Sequence, residues 1–147
     1  MITITKRLEF DAGHRIPSHT SECRNLHGHR YVLELTLEGE VVDAPGSSEH
    51  GMLMDFSHVK AIAKEHLVDK WDHAFLVYEG DGPVREFLDT LPDHKTVVMN
   101  AVPTAENMAR AAFEILAPLV RNRYGKQLRL AKVTLYETPN SWAEYTA

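Results

Sequence analysis

The stretch CRNLHGHRYVLELTLEGEVV, residues 23–42, carries two signals in one run. From Arg30 onward it alternates. Tyr31, Leu33, Leu35 and Leu37 fall on one face, and Arg30, Glu34, Thr36 and Glu38 on the other. Successive side chains of a strand point to opposite faces, so the pattern predicts a half-buried β-strand. The mouth of that strand holds His27 and His29, two apart around Gly28, and the chain's one cysteine, Cys23, precedes His27 by four residues. Residues i and i+2 of a strand share a face, roughly 6–7 Å apart at the backbone. Two imidazoles so placed can lean onto one ion at ~2.0–2.1 Å each. Chance competes with this reading: nine histidines in 147 residues give about half a His-x-His by random placement.

Upstream, ITITKRLEFD (residues 2–11) reads as another strand, expected to run antiparallel to the first. The loop AGHRIPSHTSECRNLHG follows it, broken by Gly13, Pro17 and Gly28. His14 closes the first strand, and antiparallel pairing would set it beside His27. Three neutral imidazoles without a protein carboxylate leave a coordination position open, as a catalytic zinc requires. Loop histidines with ordinary hydrogen bonds are the competing reading.

Downstream, Asp55 predicts a helix N-cap before FSHVKAIAKEHLVDKW, with Val59, Ile62, Ala63 and Leu67 near helical spacing. PVREFLDTL suggests a short helix with Pro83 at its first position, and KTVVMN a short strand. Thr104 caps a long helix whose apolar side includes Met108, Ala112, Ile115 and Leu119, with Pro118 as a potential kink and Gly125 as its end. QLRLAKVTLYET alternates as a last strand. The order β-β-α-insert-α-β predicts an α+β fold, an antiparallel sheet with two main helices on one face. One domain is expected over residues 1–147.

Composition narrows the function classes. The net charge of −5 argues against a general nucleic-acid binder. Residues 1–30 carry +2 and the remainder −7, so the basic bias surrounds the histidine pair. It suits an anionic small ligand or a solvated basic face. One cysteine forms no internal disulfide and suits a reducing cytoplasm, and it rules out zinc sites built from several thiolates. No apolar run approaches the ~20 residues of a membrane span, and MITITKRLEF lacks the apolar core of a signal peptide.

Other residues have chemistry to offer. Cys23 is a candidate nucleophile or base, with Arg24 or a bound metal as the cation that lowers its pKa; a buried apolar thiol is the bland alternative. Asp72 beside His73 suits a carboxylate-oriented acid/base, or an ordinary surface pair. Glu106, in the first turn of the long helix, complements its dipole. Glu137 ends the last strand, where a carboxylate can accept two parallel N–H bonds from a guanidine-like edge.

Together FDAGHRI, CRNLHGHRY, GMLMDFSHVK, WDHAFL, PTAENMA and YETPNSWAEY resemble the 6-pyruvoyl-tetrahydropterin synthase family over nearly the whole chain. The Cys-x3-His-Gly-His spacing is similar to the bacterial 6-carboxy-5,6,7,8-tetrahydropterin synthases of the queuosine pathway. The resemblance implies the tunnelling fold (T-fold), subunits assembled as a barrel in a homohexamer, and a cytoplasmic enzyme. It implies zinc on His14, His27 and His29, and Cys23 as the catalytic thiol. Asp72 and His73 would come from a neighbouring subunit, and Glu137 and Glu106 would hold the pterin. The implied substrate is 7,8-dihydroneopterin triphosphate, with Arg15 and Arg24 as phosphate contacts. Alternatives are triphosphate elimination alone, a metal-binding module without catalysis, or another metal hydrolase. Trp71 and Val77 depart from the family pattern, and residues 78–94 form a longer segment than in compact members.

Overall fold

The computed structural model describes residues 1–147. Strands β1 (Ile2–His14) and β2 (His27–Gly39) pair antiparallel over their full lengths. Helix α1 (Phe56–Ala63) runs through a π-helical turn at Lys64–Val68 into the single turn α2 (Asp69–Trp71). Strand β3 (Ala74–Tyr78), helix α3 (Gly82–Asp89) and strand β4 (Thr96–Met99) come next. The long helix α4 (Ala105–Tyr124) leads into β5 (Leu128–Thr138) and β6 (Ser141–Tyr145). The six strands form one sheet in the order β4-β3-β1-β2-β5-β6.

The α+β class and the antiparallel pairing of the first two strands hold. The sheet as a whole is mixed, which corrects the expectation of an antiparallel one. β3 runs parallel to β1 at Ala12↔Ala74 and Gly13↔Phe75, and β4 parallel to β3. Parallel neighbours need a crossover, and α3 supplies it. The lengthened segment 78–94 is therefore this crossover. Its helix seats Val84 and Leu88 on Val77, with Phe75 alongside, in a small core of their own.

Alternation sorts the sheet into two faces. Leu8, Phe10 and Ala12 of β1 and Tyr31, Leu33 and Leu35 of β2 are buried in the main core. Each large apolar side chain so buried contributes roughly 1.5–3 kcal/mol. Phe10 stacks on Tyr31 at 5.2 Å, and Trp71 meets Phe10 edge-on at 6.0 Å. The indole at position 71 thus fills core space. The opposite face is polar, with Arg7–Glu34 at 2.9 Å, Arg30–Asp11 at 2.8 Å and Arg129–Glu38 at 2.7 Å.

Helix α4 lies on the core face. Ala109 and Ala112 are fully buried there, and their small side chains allow close approach to the sheet. The helix passes unbroken through Pro118, which is exposed and near its end. The missing N–H strands only the carbonyl of Glu114, itself on the solvent side. Gly125, at φ 62°, ends the helix as expected. Both expected N-caps form: the Asp55 side chain accepts from Ser57 N–H at 2.8 Å and Thr104 from Asn107 N–H at 3.2 Å. No helix is long and apolar enough to cross a membrane.

Thr104→Ala removes the cap that starts α4 and is expected to cost about 1 kcal/mol, read as a thermal midpoint lowered by about 2–4 °C. Asp55 gives a pH test. Its hydrogen bonds from the Ser57 hydroxyl and amide hold its pKa below the ordinary 3.8. The stabilisation is complete above that unfolded value and is lost as pH falls through the lower folded one. Asp55→Asn keeps a capping side chain, so its stability is expected to fall less steeply than wild type below about pH 4. Denaturant melts across the acid range check this.

Candidate active site

The β1–β2 register places His14 directly opposite His27, with Gly13 facing Gly28 and Ala12 facing His29. All three imidazoles therefore stand on the core face, His29 one same-face rung beyond the Phe10–Tyr31 stack and His14 and His27 two. Their ring centroids are 4.6, 5.1 and 5.0 Å apart, and one nitrogen of each lies within 4.8 Å of the others. The glycine pair between them has a steric cause. A Cβ on Gly28 would sit 2.9 Å from the Ala12 carbonyl oxygen, and one on Gly13 would sit 2.7 Å from the Phe75 ring.

Protonation follows from the hydrogen bonds. His14 Nδ1 lies 2.7 Å from the Pro103 carbonyl and His27 Nδ1 lies 2.6 Å from that of Asn25. A carbonyl only accepts, so each Nδ1 carries the proton and each neutral ring leaves Nε2 bare. Burial pushes the pKa of His14 and His29 down, which favours those neutral rings. Nε2 of His14 and of His29 is buried without any hydrogen-bond partner. Unpaired buried polar atoms are costly. A divalent cation taking the converging lone pairs removes that cost, and the donor set fits zinc chemistry.

The other expected groups divide between two cavities. Cys23 sits half-buried on a 3-10 turn, Glu22–Arg24, in the loop joining β1 to β2. It lines a cavity of about 350 Å³ together with His14, Ile16, Glu106, Glu137 and Trp142. Glu106 enters from the first turn of α4. Glu137 enters from β5 at an irregularity, where Tyr136 pairs with Trp142 and Thr138 with Ser141, leaving Glu137 unpaired between them. Such a bulge re-aims a side chain. Its Oε1 stands 3.6 Å from His29 Nε2. Thiol, both carboxylates and His14 thus line one pocket, and the rings of His27 and His29 stand behind His14 at 4.6 and 5.1 Å.

Asp72 and His73 do not join them within the protomer. They bond to each other, His73 Nδ1 lying 3.0 Å from Asp72 Oδ2, while Asp72 Oδ1 accepts from the Asp11 amide at 2.9 Å. That amide bond, ahead of the His73 contact, holds the Asp72 carboxyl below its usual pKa range. His73 takes a left-handed backbone at φ 60° and presents an exposed ring. It opens on a second cavity of about 530 Å³, lined also by Asp11, Gly13, His29, Arg30 and His94.

The two arginines expected to contact phosphate are already engaged. Arg15 forms a two-pronged ion pair with Asp81 at 2.6 and 2.7 Å. Arg24 folds back to donate to the carbonyls of Thr20 and Ser21, both at 3.1 Å. Sequence reasoning missed Asp81, Trp142 and the Tyr31 hydroxyl. The last is buried without a partner in the rung below His29, and burial raises its pKa far above the ordinary value. Alternation marked Tyr31 only as an apolar face residue.

A model of the 6-pyruvoyl tetrahydropterin synthase family matches residues 3–147. The chain is 37% identical over 145 residues to a 6-carboxy-5,6,7,8-tetrahydropterin synthase of Rickettsia bellii, covering 98% of this chain and 99% of that one. It is 33% identical over 148 residues to the enzyme of that name from Haemophilus influenzae, covering 99% of each. The fold matches that of 6-pyruvoyl tetrahydropterin synthase from Caenorhabditis elegans with a TM-score of 0.67 and 30% identity, over 99% of this chain and 95% of that one. The expected T-fold is therefore present, and the chain belongs to the 6-pyruvoyl tetrahydropterin synthase family.

Proposed function

We propose that this chain is a 6-carboxy-5,6,7,8-tetrahydropterin synthase. It would convert 7,8-dihydroneopterin triphosphate and one water to 6-carboxytetrahydropterin, triphosphate and acetaldehyde, the water supplying the second carboxylate oxygen, a step of queuosine biosynthesis. The observation that supports this most is a cluster of three imidazoles bordering, through His14, a pocket that one thiol and two carboxylates also line. Relatives of that name at 33–37% identity over nearly the full length point the same way.

His14, His27 and His29 would hold a zinc ion, which when bound supplies Lewis-acid polarisation of the substrate's side-chain hydroxyls. Cys23 takes a proton from the carbon beside such a hydroxyl. Glu137 accepts two N–H bonds from the 2-amino and N3–H edge of the pterin, with Glu106 beside it. Redox is internal: the ring is reduced while the side chain is oxidised, so no nicotinamide takes part.

In this reading Asp72 orients His73, which shuttles protons in the active site of a neighbouring subunit. Three observations support an arrangement across subunits: the pair is bonded, the His73 ring is exposed, and it lines a cavity that Cys23 does not. The reading includes a cytoplasmic homohexamer in which each chain is one domain over residues 1–147.

Cys23→Ala is expected to retain zinc and lose turnover by about 10²–10⁴-fold, the usual effect of removing a positioned proton acceptor. His27→Ala is expected to lose both zinc and turnover. Metal analysis alongside product analysis reads both, and full turnover without metal would contradict the proposal. Release of acetaldehyde distinguishes it from triphosphate elimination alone. Glu137→Gln is expected to raise KM by about 10–100-fold, the effect of losing hydrogen bonds to a charged acceptor, as measured by steady-state kinetics.

A further inference from the structure

The loop that carries Cys23 is closed at its base by His14 opposite His27. Within residues 15–26 the hydrogen bonds are local. Ile16 N–H donates to the Cys23 carbonyl at 2.8 Å, His19 N–H to Ile16, and Arg24 and Asn25 N–H to Ser21 and Glu22. The Ser21 amide and the Arg24 guanidinium also stay within the loop, and the Asn25 carbonyl meets His27 at its base. One tie leaves the loop for another part of the fold: Arg15 to Asp81.

Asp81 is built for that tie. It stands at the N-cap of α3, where an Asp ordinarily caps its own helix. Here both oxygens go to Arg15, whose hydrogen bonds do most to hold the carboxyl below its usual pKa range, with the Val84 amide of the helix start contributing least. The carboxylate is nearly fully buried, with a side-chain exposure of 2%, against 23% for Arg15. A buried charge is retained only with its partner in place. The element behind Asp81 is rigid, since α3 packs on β3 and β3 pairs with β1 beside Gly13.

We infer that Asp81, acting through Arg15, is a positioning residue that fixes the Cys23 loop over the metal pocket. The path is short. Arg15 lies between His14, a proposed metal ligand, and Ile16, which lines the Cys23 pocket and bonds to the Cys23 carbonyl. Clamping Arg15 sets the direction in which the chain leaves β1, and with it the seat of Ile16 and Cys23. Sites supported by rigid elements hold reacting groups where loops alone do not. The crossover segment 78–94 would thus serve the active site of its own protomer. This inference rests on the role proposed for Cys23, and it gives the otherwise unexplained Arg15 a function.

The test uses the zinc-loaded full chain and two variants that break the pair from either side, Asp81→Asn and Arg15→Gln. Hydrogen exchange at the Ile16 amide is expected to rise about tenfold or more in both, while the Leu33 and Leu35 amides of β2 stay within about twofold. Alkylation of Cys23 by iodoacetamide is expected to change rate in the folded protein. Turnover is expected to show kcat lowered about tenfold or more, KM nearly unchanged and zinc retained. Asp81→Glu, which keeps the charge, should recover part of kcat. Uniform loss of protection across β2 and Ile16, or unchanged kcat with a loosened Ile16 amide, would overturn the inference. A variant that does not fold assigns Asp81 to global stability and overturns it as well. Wild-type turnover is scored first: an inactive wild type rejects the functional reading, while exchange at Ile16 still tests the tie.

Discussion

His14 faces His27 across the β1–β2 ladder, and the candidate site depends on that register. A slip of one residue would turn His27 and His29 to the polar face and carry Tyr31 and Leu33 out of the core with them. The apolar alternation that buries the sheet therefore also aims the imidazoles. Folding and ligand placement draw on one pattern, and the glycine pair at positions 13 and 28 lets the ladder close tightly between them.

Burial then sets the chemistry. Burial favours the neutral form of His14 and His29, while backbone carbonyls fix the tautomer of His14 and His27. The result is that Nε2 of His14 and of His29 is buried without a hydrogen-bond partner. Carboxylates and thiol join the rings from three elements: Glu106 from the helix start, Glu137 from the strand irregularity, and Cys23 from the loop. The ordered polar residues of the opposite face support a separate cavity with the Asp72–His73 pair at its edge. On the proposed reading these would be two halves of a site that neighbouring subunits complete.

Much of this was legible in the sequence because its causes are local. Period-two alternation marked β1, β2 and β5, and capping residues at Asp55 and Thr104 marked both main helices. His14, His27 and His29 followed from spacing plus pairing, and the six motifs pointed to the family. The parallel pair β3–β4 was less legible. AFLVY is five apolar residues without a period, so it does not separate a buried strand from a helix end. SWAEY, with Trp142 exposed, carries too little pattern to announce β6. The Arg15–Asp81 pair spans 66 positions and leaves no local trace, so Arg15 read as a free cation near an anionic ligand. Asp72 and His73 were read as neighbours whose bonding was open, and the left-handed backbone at His73 is what brings them together.

The most direct measurement is X-ray absorption at the zinc edge of the metal-loaded protein. Three imidazole nitrogens at ~2.0–2.1 Å, completed by oxygen and with no sulfur, is the expected spectrum. A sulfur neighbour at ~2.3 Å would contradict the account. Cys23 would then be a ligand rather than a free base, and three histidines would not be the metal's protein shell.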